Sequence, residues 1–249
     1  MIDIKSNYDH KGIVKLAKDD GAATFSDYAK FALQHYYDNS AEFVGTKHGR
    51  ALNFHVRRRM DCITLVLRCL DVAYRGMNDP AARSKIWTFD ALGALIQRYL
   101  VDSKNFTGVF YLQDKGKPLT GRGAAMKNCN YYGVKASYVL SDYQDPKAEF
   151  FPLVYKAAAV EGVRSLAALN RVKFGFGISD SGSHTWLLSD GQIYESHWNK
   201  IGTQPNGPGG LFEKRSIRAF TSTWTDGLIV IPSAEASKIA LMPKIACSS

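Results

Sequence analysis

The chain lacks the long apolar run that marks a membrane-spanning helix. Its 249 residues contain no stretch approaching the roughly 18 apolar residues of such a span. The N-terminal stretch, MIDIKSNYDHKGIVKLAKDDG, also lacks the apolar segment of a secretory signal. We therefore expect no membrane span, and a protein made in the cytoplasm or exported by a route that reads no such signal.

Cysteine is scarce, and its spacing argues against two common uses. The four cysteines, at positions 62, 69, 129 and 247, form no CxxC pair. Cys62 and Cys69 fall two helical turns apart, on the order of 10 Å, which is too far for a disulfide bridge. The six histidines show no metal-ligand spacing with a cysteine pair. The sequence thus predicts no disulfide framework, no metal site and no cofactor.

Acidic residues are in deficit. Lys and Arg number 32 against 23 Asp and Glu, which gives a formal net charge of +9. This excess predicts an anionic partner, such as nucleic acid, an anionic membrane surface or a bacterial cell wall. The basic residues are dispersed except at positions 57–59, and no recognition helix or RNA-binding signature accompanies them. Specific nucleic-acid binding is therefore not expected.

The order of the predicted elements indicates an α+β fold. Residues 1–20 are polar and predict an irregular lead-in, and helical periodicity then predicts helices over residues 25–44, 62–76, 81–101 and 151–172. The first of these can be capped by Thr24 or Ser26. Strands are predicted at TGVFYLQ and at 134–140, and the last third of the chain holds short β-rich runs separated by turn residues: KFGFGIS, HTWLLS, QIYESHW and DGLIVIP. Such runs are typical of an antiparallel sheet.

The stretch Arg57–Gly76 places a cysteine at the start of a predicted helix. Asp61 can accept hydrogen bonds from the free N–H groups of the first turn, so Cys62 falls at or near the first helical residue. There the helix dipole and those N–H groups favour a thiolate over a thiol, and they can help to hold an oxyanion. Cys62 is the candidate nucleophile, with a buried hydrophobic role as the alternative. One buried helix face is predicted from the spacing of Ile63, Val66, Leu67, Leu70 and Ala73/Tyr74.

A predicted β-hairpin supplies candidate partners for this cysteine. Asp190 and Gly191 form a strong turn signal between HTWLLS and QIYESHW. His184 begins the first strand and is the candidate base, while Glu195 and His197 lie near the end of the second. A strict two-residue turn puts His197 directly opposite His184 with Glu195 diagonal to it, whereas a one-residue slip reverses the faces. Either Glu195 or His197 could orient the base.

These two segments resemble a known family. DCITLVLRCLDVAYRG looks like the nucleophile helix of the papain-like cell-wall peptidases of the NlpC type, and HTWLLSDGQIYES looks like their histidine strand, glycine turn and following strand. The type VI secretion amidase effectors are similar in arrangement. The sequence departs from the family in two respects. Ile63-Thr64 stands where the family has Ser-Gly, and the cysteine and histidine lie farther apart than in a minimal member.

The resemblance implies a papain-like cysteine hydrolase core, in which the nucleophile helix packs on an antiparallel sheet. Carried over residue by residue, it makes Cys62 the nucleophile, His184 the base and Glu195 the residue that orients the imidazole. The wide separation of cysteine and histidine implies a mainly helical insertion, about residues 78–172, within a single domain spanning residues 1–249.

The function implied by the resemblance is a cysteine amidase or endopeptidase that cleaves peptidoglycan stem peptides, as an antibacterial effector delivered between bacteria. It would act in the periplasm of a target cell, with secretion machinery and an immunity protein as further partners. Two alternatives stay open. One is a deamidase or transglutaminase toxin acting on a protein target, and the other is a basic polyanion-binding module in which Cys62 is a core residue.

Overall fold

The computed structural model describes residues 10–45, 59–81, 105–112, 160–162, 166–179, 185–196, 212–220 and 226–239, which show an α+β fold. Numbered along the chain, the helices are α1 (His10–Asp19), α2 (Phe25–Asp38), α3 (Cys62–Gly76), α4 (Ile217–Phe220) and α5 (Ser233–Ala236). The strands are β1 (Val44–Gly45), β2 (Arg59–Met60), β3 (Phe106–Leu112), β4 (Val160–Gly162), β5 (Gly175–Ser179), β6 (Thr185–Ser189), β7 (Gln192–Ser196), β8 (Phe212–Ser216) and β9 (Asp226–Pro232). Short 3₁₀ helices lie at Ser40–Glu42 and Leu166–Arg171.

The described residues divide between two compact units. The first unit holds α1, α2 and α3 together with β6, most of β7 and the first part of β8. The second holds β3, β4, β5 and β9 with the Leu166–Arg171 helix, α4 and α5. The α+β prediction is confirmed, while the prediction of a single domain over the whole chain stays a prediction.

Helix α3 lies at the centre of the first unit. It packs against α1, α2 and β6, and every side chain from Ile63 to Ala73 is buried. The prediction of one buried face was therefore too narrow, because neighbours on several sides cover the helix. Arg68 and Asp71, which are not part of the predicted apolar face, are buried as well.

Helix α2 forms where the sequence predicted it, and Thr24 is its N-cap. The Thr24 side chain accepts a hydrogen bond from the Asp27 N–H, and the Asp27 carboxylate accepts one from the Thr24 N–H in return. The helix ends at Asp38, before the predicted position 44. One apolar face of the helix is buried, at Tyr28, Ala29, Ala32, Leu33 and Tyr36.

The predicted irregular lead-in is wrong for residues 10–19, which form α1. Three apolar side chains at helical spacing, Ile13, Val14 and Ala17, are buried on this helix among polar neighbours. His10 is buried as well. The apolar positions are few, so the polar composition masked a short amphipathic helix that gains its stability from packing on α3.

Helices α2 and α3 run antiparallel. The Phe25 ring at the start of α2 lies 4.9 Å from the Tyr74 ring near the end of α3, and the Tyr28 ring covers Gly76. Farther along, the Arg68 guanidinium carbon lies 6.0 Å from the centroid of the Phe43 ring, which follows α2. The last turn of α2 therefore lies beside the half of α3 that begins with Cys62.

In the second unit the strands follow the order β4-β3-β9-β5. Strand β9 is antiparallel to both neighbours, in registers that pair Phe106 with Pro232 and Phe176 with Val230. These strands confirm the predictions at TGVFYLQ, KFGFGIS and DGLIVIP. Strand β4 lies parallel to β3 and pairs Val160 with Gly108.

The predicted helix over 151–172 is wrong in its described part. Residues 160–162 form β4 and residues 166–171 form a 3₁₀ helix, because pairing with β3 outweighs the helical preference of an alanine-rich segment. The described part of the predicted 78–172 insertion thus contributes two strands to the second unit. The helix predicted at 81–101 and the strand predicted at 134–140 lie outside the described residues, except for residue 81.

The hairpin of β6 and β7 has the predicted two-residue turn. Asp190 and Gly191 have φ angles of 48° and 73°, which is the left-handed pair that a tight hairpin turn requires. The Asp190 N–H donates to the Val172 carbonyl at 2.8 Å, and the Gly191 carbonyl accepts from the Ile217 N–H at 2.9 Å. The neighbouring strand β8, FEKRS, was not predicted, since it has one apolar side chain at its start.

Candidate active site

Cys62 is the first residue of α3, as predicted. The N-cap is Asp61, whose backbone is extended and whose Oδ1 accepts a hydrogen bond from the Thr64 N–H at 2.8 Å. The Asp61 carbonyl accepts the first helical hydrogen bond, from the Leu65 N–H at 3.1 Å. These bonds fix where the helix begins, and they place the thiol beside its N-terminus.

The two described cysteines differ in access. Both thiols are free, but Cys62 is half-buried and Cys69 is fully buried. Burial raises the pKa of the Cys69 thiol far above its usual range, so this side chain stays protonated and inert. Of these two residues, Cys62 is the one in contact with solvent.

The cap leaves two backbone donors close to this thiol. An α-helix provides no internal acceptor for the N–H groups of its first turn, and the Asp61 carboxylate accepts the hydrogen bond of the Thr64 N–H. The N–H groups of Cys62 and Ile63 therefore have no acceptor within the helix. Two neighbouring N–H groups at a helix N-terminus can stabilise the oxyanion that forms when a thiolate attacks an amide carbonyl.

The predicted base lies just outside the described residues. His184 directly precedes β6 in the sequence, and β6 contacts α3. His197 directly follows β7 and also lies outside the described residues. Of the predicted catalytic residues, the structure therefore places Cys62 and Glu195, and the roles of all three stay predictions.

Glu195 is 1% exposed on β7. The two-residue turn sets Trp186 opposite Glu195, and alternation along a strand puts Glu195 and Tyr194 on opposite faces of the hairpin. Tyr194 contacts α2, so the Glu195 side chain faces away from that helix. Among the described residues Cys62 makes no side-chain hydrogen bond, so Glu195 does not bind the thiol directly.

Sequence reasoning passed over Ser196, which lies between the two candidates for the third role. Its side chain is 1% exposed, and its hydroxyl has no hydrogen-bond partner among the described residues. Alternation puts Ser196 on the same face of β7 as Tyr194. The alternation of side chains along a strand was the sequence signal that distinguishes this residue, because it puts positions 194 and 196 on one face and positions 195 and 197 on the other.

A second polar group in the first unit was also missed. His10 on α1 is hydrogen-bonded through Nδ1 to Asp71 Oδ2 on α3, and the same oxygen accepts from Arg75 Nε at 2.7 Å. We call these three residues the buried ion cluster. Burial lowers the pKa of His10, and the hydrogen bond to Asp71 offsets this only in part. Burial opposes ionisation of Asp71, but the bonds from His10 and Arg75 outweigh it and lower the pKa of this carboxyl.

Among the residues that the structure describes, no group of three or more His, Cys, Asp or Glu side chains could hold a metal ion. None of the helices in the described ranges is long and apolar enough to cross a membrane.

Comparison with known proteins yields no relative for this chain. No protein-family model matches it, and searches of curated proteins and of solved structures find no significant match.

Proposed function

We propose that this protein is a papain-like cysteine amidase that cleaves peptidoglycan stem peptides. The observation that carries the proposal is the position of Cys62, a half-buried cysteine at the first residue of a central helix whose next eleven residues are buried. A buried thiol such as Cys69 suits packing, whereas an accessible thiol beside free helical N–H groups suits nucleophilic attack.

The packing around Cys62 supports the same proposal. The resemblance to NlpC-type peptidases calls for a nucleophile helix packed on an antiparallel sheet, and α3 contacts β6 of the hairpin. It also calls for a glycine turn between two strands, and the Asp190-Gly191 turn has this form. The net charge of +9 suits an anionic bacterial envelope.

The proposed reaction has two steps. His184 accepts the Cys62 thiol proton, and the thiolate attacks the amide carbonyl carbon while the N–H groups of Cys62 and Ile63 hold the oxyanion. Collapse of this intermediate breaks the C–N bond, and the imidazolium returns the proton to the departing amine. Water, deprotonated by His184, then hydrolyses the thioester and restores the thiol. Glu195 fixes the tautomer of His184 and stabilises its charged form.

The biological setting follows from this chemistry. We propose that the enzyme is secreted as an antibacterial effector and acts in the periplasm of a target cell. An immunity protein would then protect the producing cell, and secretion machinery would deliver the enzyme.

The test is release of cleaved muropeptides from purified sacculi. We expect release by the wild type, none by Cys62→Ala, and near-normal release by Cys69→Ala, which removes the other described thiol of α3. Circular dichroism should show that all three proteins are folded. If folded wild-type protein releases no muropeptides, the proposed amidase function is wrong. Mass spectrometry of intoxicated cells would then look for glutamine-to-glutamate conversion or isopeptide links, which the deamidase or transglutaminase alternative requires.

The third catalytic residue can be tested separately. We expect Glu195→Gln to lower turnover by about ten- to a thousandfold, because a carboxylate stabilises the imidazolium of His184, and we expect His197→Ala to do much less. Kinetics on a soluble stem peptide would measure both. Near-normal turnover by Glu195→Gln together with an inactive His197→Ala would assign the role to His197.

A further inference from the structure

A lysine on β8 lies against two tyrosine rings in the first unit. The Lys214 ammonium nitrogen is 5.1 Å from the ring centroid of Tyr194 and 5.7 Å from that of Tyr37. The two rings meet edge to face, with their centroids 5.3 Å apart. We call these three residues the tyrosine–lysine cluster. Such contacts attract a cation to the negative faces of aromatic rings, so they hold the ammonium in place.

A chain of hydrogen bonds links the Tyr194 ring to the last turn of α2. The Tyr194 hydroxyl donates to Gln34 Oε1 at 3.4 Å, and Gln34 Nε2 donates to Asp38 Oδ1 at 2.7 Å. The hydrogen bond to Tyr194 raises the pKa of Lys214, so the side chain is charged at neutral pH. Tyr194 is buried while Lys214 is exposed. The cluster therefore has a fixed base and a cation that faces solvent.

The cation has no ion-pair partner in the part of the chain that the structure describes. On α1 of the same unit, by contrast, the Lys15 ammonium lies 2.6 Å from the Asp19 carboxylate. Lys214 instead hydrogen-bonds Tyr194, and Tyr37 and Asp38 act on its charge electrostatically. An anionic ligand can thus bind the ammonium without first displacing an internal carboxylate.

The cluster and the candidate nucleophile belong to the same half of the helix pair. Tyr37 lies in the last turn of α2, and the antiparallel packing sets that turn beside the half of α3 that begins with Cys62. A peptide held at Cys62 could therefore extend to the cluster.

We propose that Tyr37, Tyr194 and Lys214 form a subsite that binds a free carboxylate of the peptide substrate. This inference rests on the proposed amidase function, since stem peptides carry free carboxylates. A lone ammonium on an aromatic base suits a single carboxylate on an extended chain, and the tyrosine faces give the apolar part of the peptide a surface to contact.

The experiment measures binding in the Cys62→Ala background, where turnover cannot consume the ligand. Two soluble stem peptides are titrated by calorimetry, one with free carboxylates and one with every carboxylate amidated. We expect about tenfold tighter binding of the free peptide, on the scale of one charge-assisted hydrogen bond at an exposed site. Adding Lys214→Met should remove this preference, and adding Lys214→Arg should keep most of it.

Lys18→Met is the matched control, because Lys18 is an exposed lysine on α1 and its loss changes the net charge by the same amount. It should leave the preference intact. The inference is overturned if Lys214→Met binds both peptides as the Cys62→Ala parent does, or if Lys18→Met weakens binding equally. A preference that depends on Lys214 in a protein whose wild type releases no muropeptides would support the subsite and reject the amidase.

Discussion

The two ends of α3 use similar residues for different purposes. At its start, Asp61 caps the helix and Cys62 is half-buried. Toward its end, Asp71 is fully buried and binds His10 and Arg75. An aspartate and a titratable partner occur at both ends, but solvent reaches the thiol at one end and is excluded from the carboxylate at the other. Access, more than residue type, separates a candidate site from a structural contact.

The largest contrast we expect is between the two cysteines of this helix. An alkylating reagent at pH 7 should label Cys62 at least about a thousandfold faster than Cys69, because a fully buried thiol reacts only when the protein opens. Mass spectrometry of peptides sampled over time gives both rates. Equal rates would show that the helix start is not the accessible end. Rapid labelling confined to Cys62 would weigh against the polyanion-binding alternative, in which this residue is part of the core.

The N-cap aspartate, Asp61, and the buried, paired aspartate, Asp71, should also differ in how much they contribute to stability. Asp71→Ala removes the acceptor that buried His10 shares with half-buried Arg75, so we expect a loss of about 2–3 kcal/mol in the free energy of unfolding. Asp61→Ala removes one N-cap hydrogen bond and should cost about 1 kcal/mol. Urea denaturation measures both values. A smaller loss for Asp71→Ala than for Asp61→Ala would contradict the structural role of the buried ion cluster.

A substitution at Gly76 would test how tightly the C-terminal end of α3 packs against α2. A Cβ added there would lie 2.4 Å from Cγ of the Tyr28 ring, so Gly76→Ala must push α2 and α3 apart. We expect a loss of about 1–3 kcal/mol despite the higher helical propensity of alanine. Tyr28→Leu combined with Gly76→Ala should recover part of this loss. If Gly76→Ala is stabilising, the close approach of the two helices is wrong.

The smallest effect we expect is the pH dependence due to His10. Its pKa in the folded protein lies below the ordinary value of 6.5, so the unfolded chain binds the proton more readily once the pH falls below about that value. Protonation of His10 then lowers the free energy of unfolding. The loss is at most about 1.4 kcal/mol for each unit by which folding lowers the pKa of His10. The lowered pKa of Asp71 adds a loss at more acidic pH, below its ordinary value of 3.8.

Urea denaturation at pH 7 and pH 5 can isolate this contribution. We expect the wild type to lose about 1 kcal/mol more than His10→Gln between the two pH values. His35, whose pKa burial also lowers, is present in both proteins and cancels in the comparison. A larger loss in His10→Gln than in the wild type would reverse the assigned direction of the His10 shift.

Local signals in the sequence were sufficient for the features that depend on near neighbours. The start of α3 was predicted because an N-cap aspartate acts on an N–H three residues away. The Asp190-Gly191 turn was predicted because a tight hairpin turn needs two consecutive residues with positive φ, and Asp-Gly is one of the few pairs that readily adopt it. The capping of α2 by Thr24 is also a local feature, because its partner Asp27 is three residues away.

Features that depend on distant contacts were missed. Helix α1 has a polar composition and becomes stable by packing on α3, and β4 gains its hydrogen bonds from β3, about 50 residues earlier. The buried positions of Arg68 and Asp71 contradict their polarity, since an ion pair and an aromatic neighbour replace water around them.

The sequence by itself determined that Cys62 begins a helix, that Asp61 caps it, and that a two-residue turn joins β6 to β7, because these depend on backbone preferences within a few residues. Only the tertiary structure decided that Cys62 is accessible while Cys69 is not, that Asp71 is paired with a histidine 61 residues away, and that Lys214 lies on two tyrosine rings. Solvent exclusion and long-range contacts are properties of the packed chain, and no short stretch of sequence encodes them.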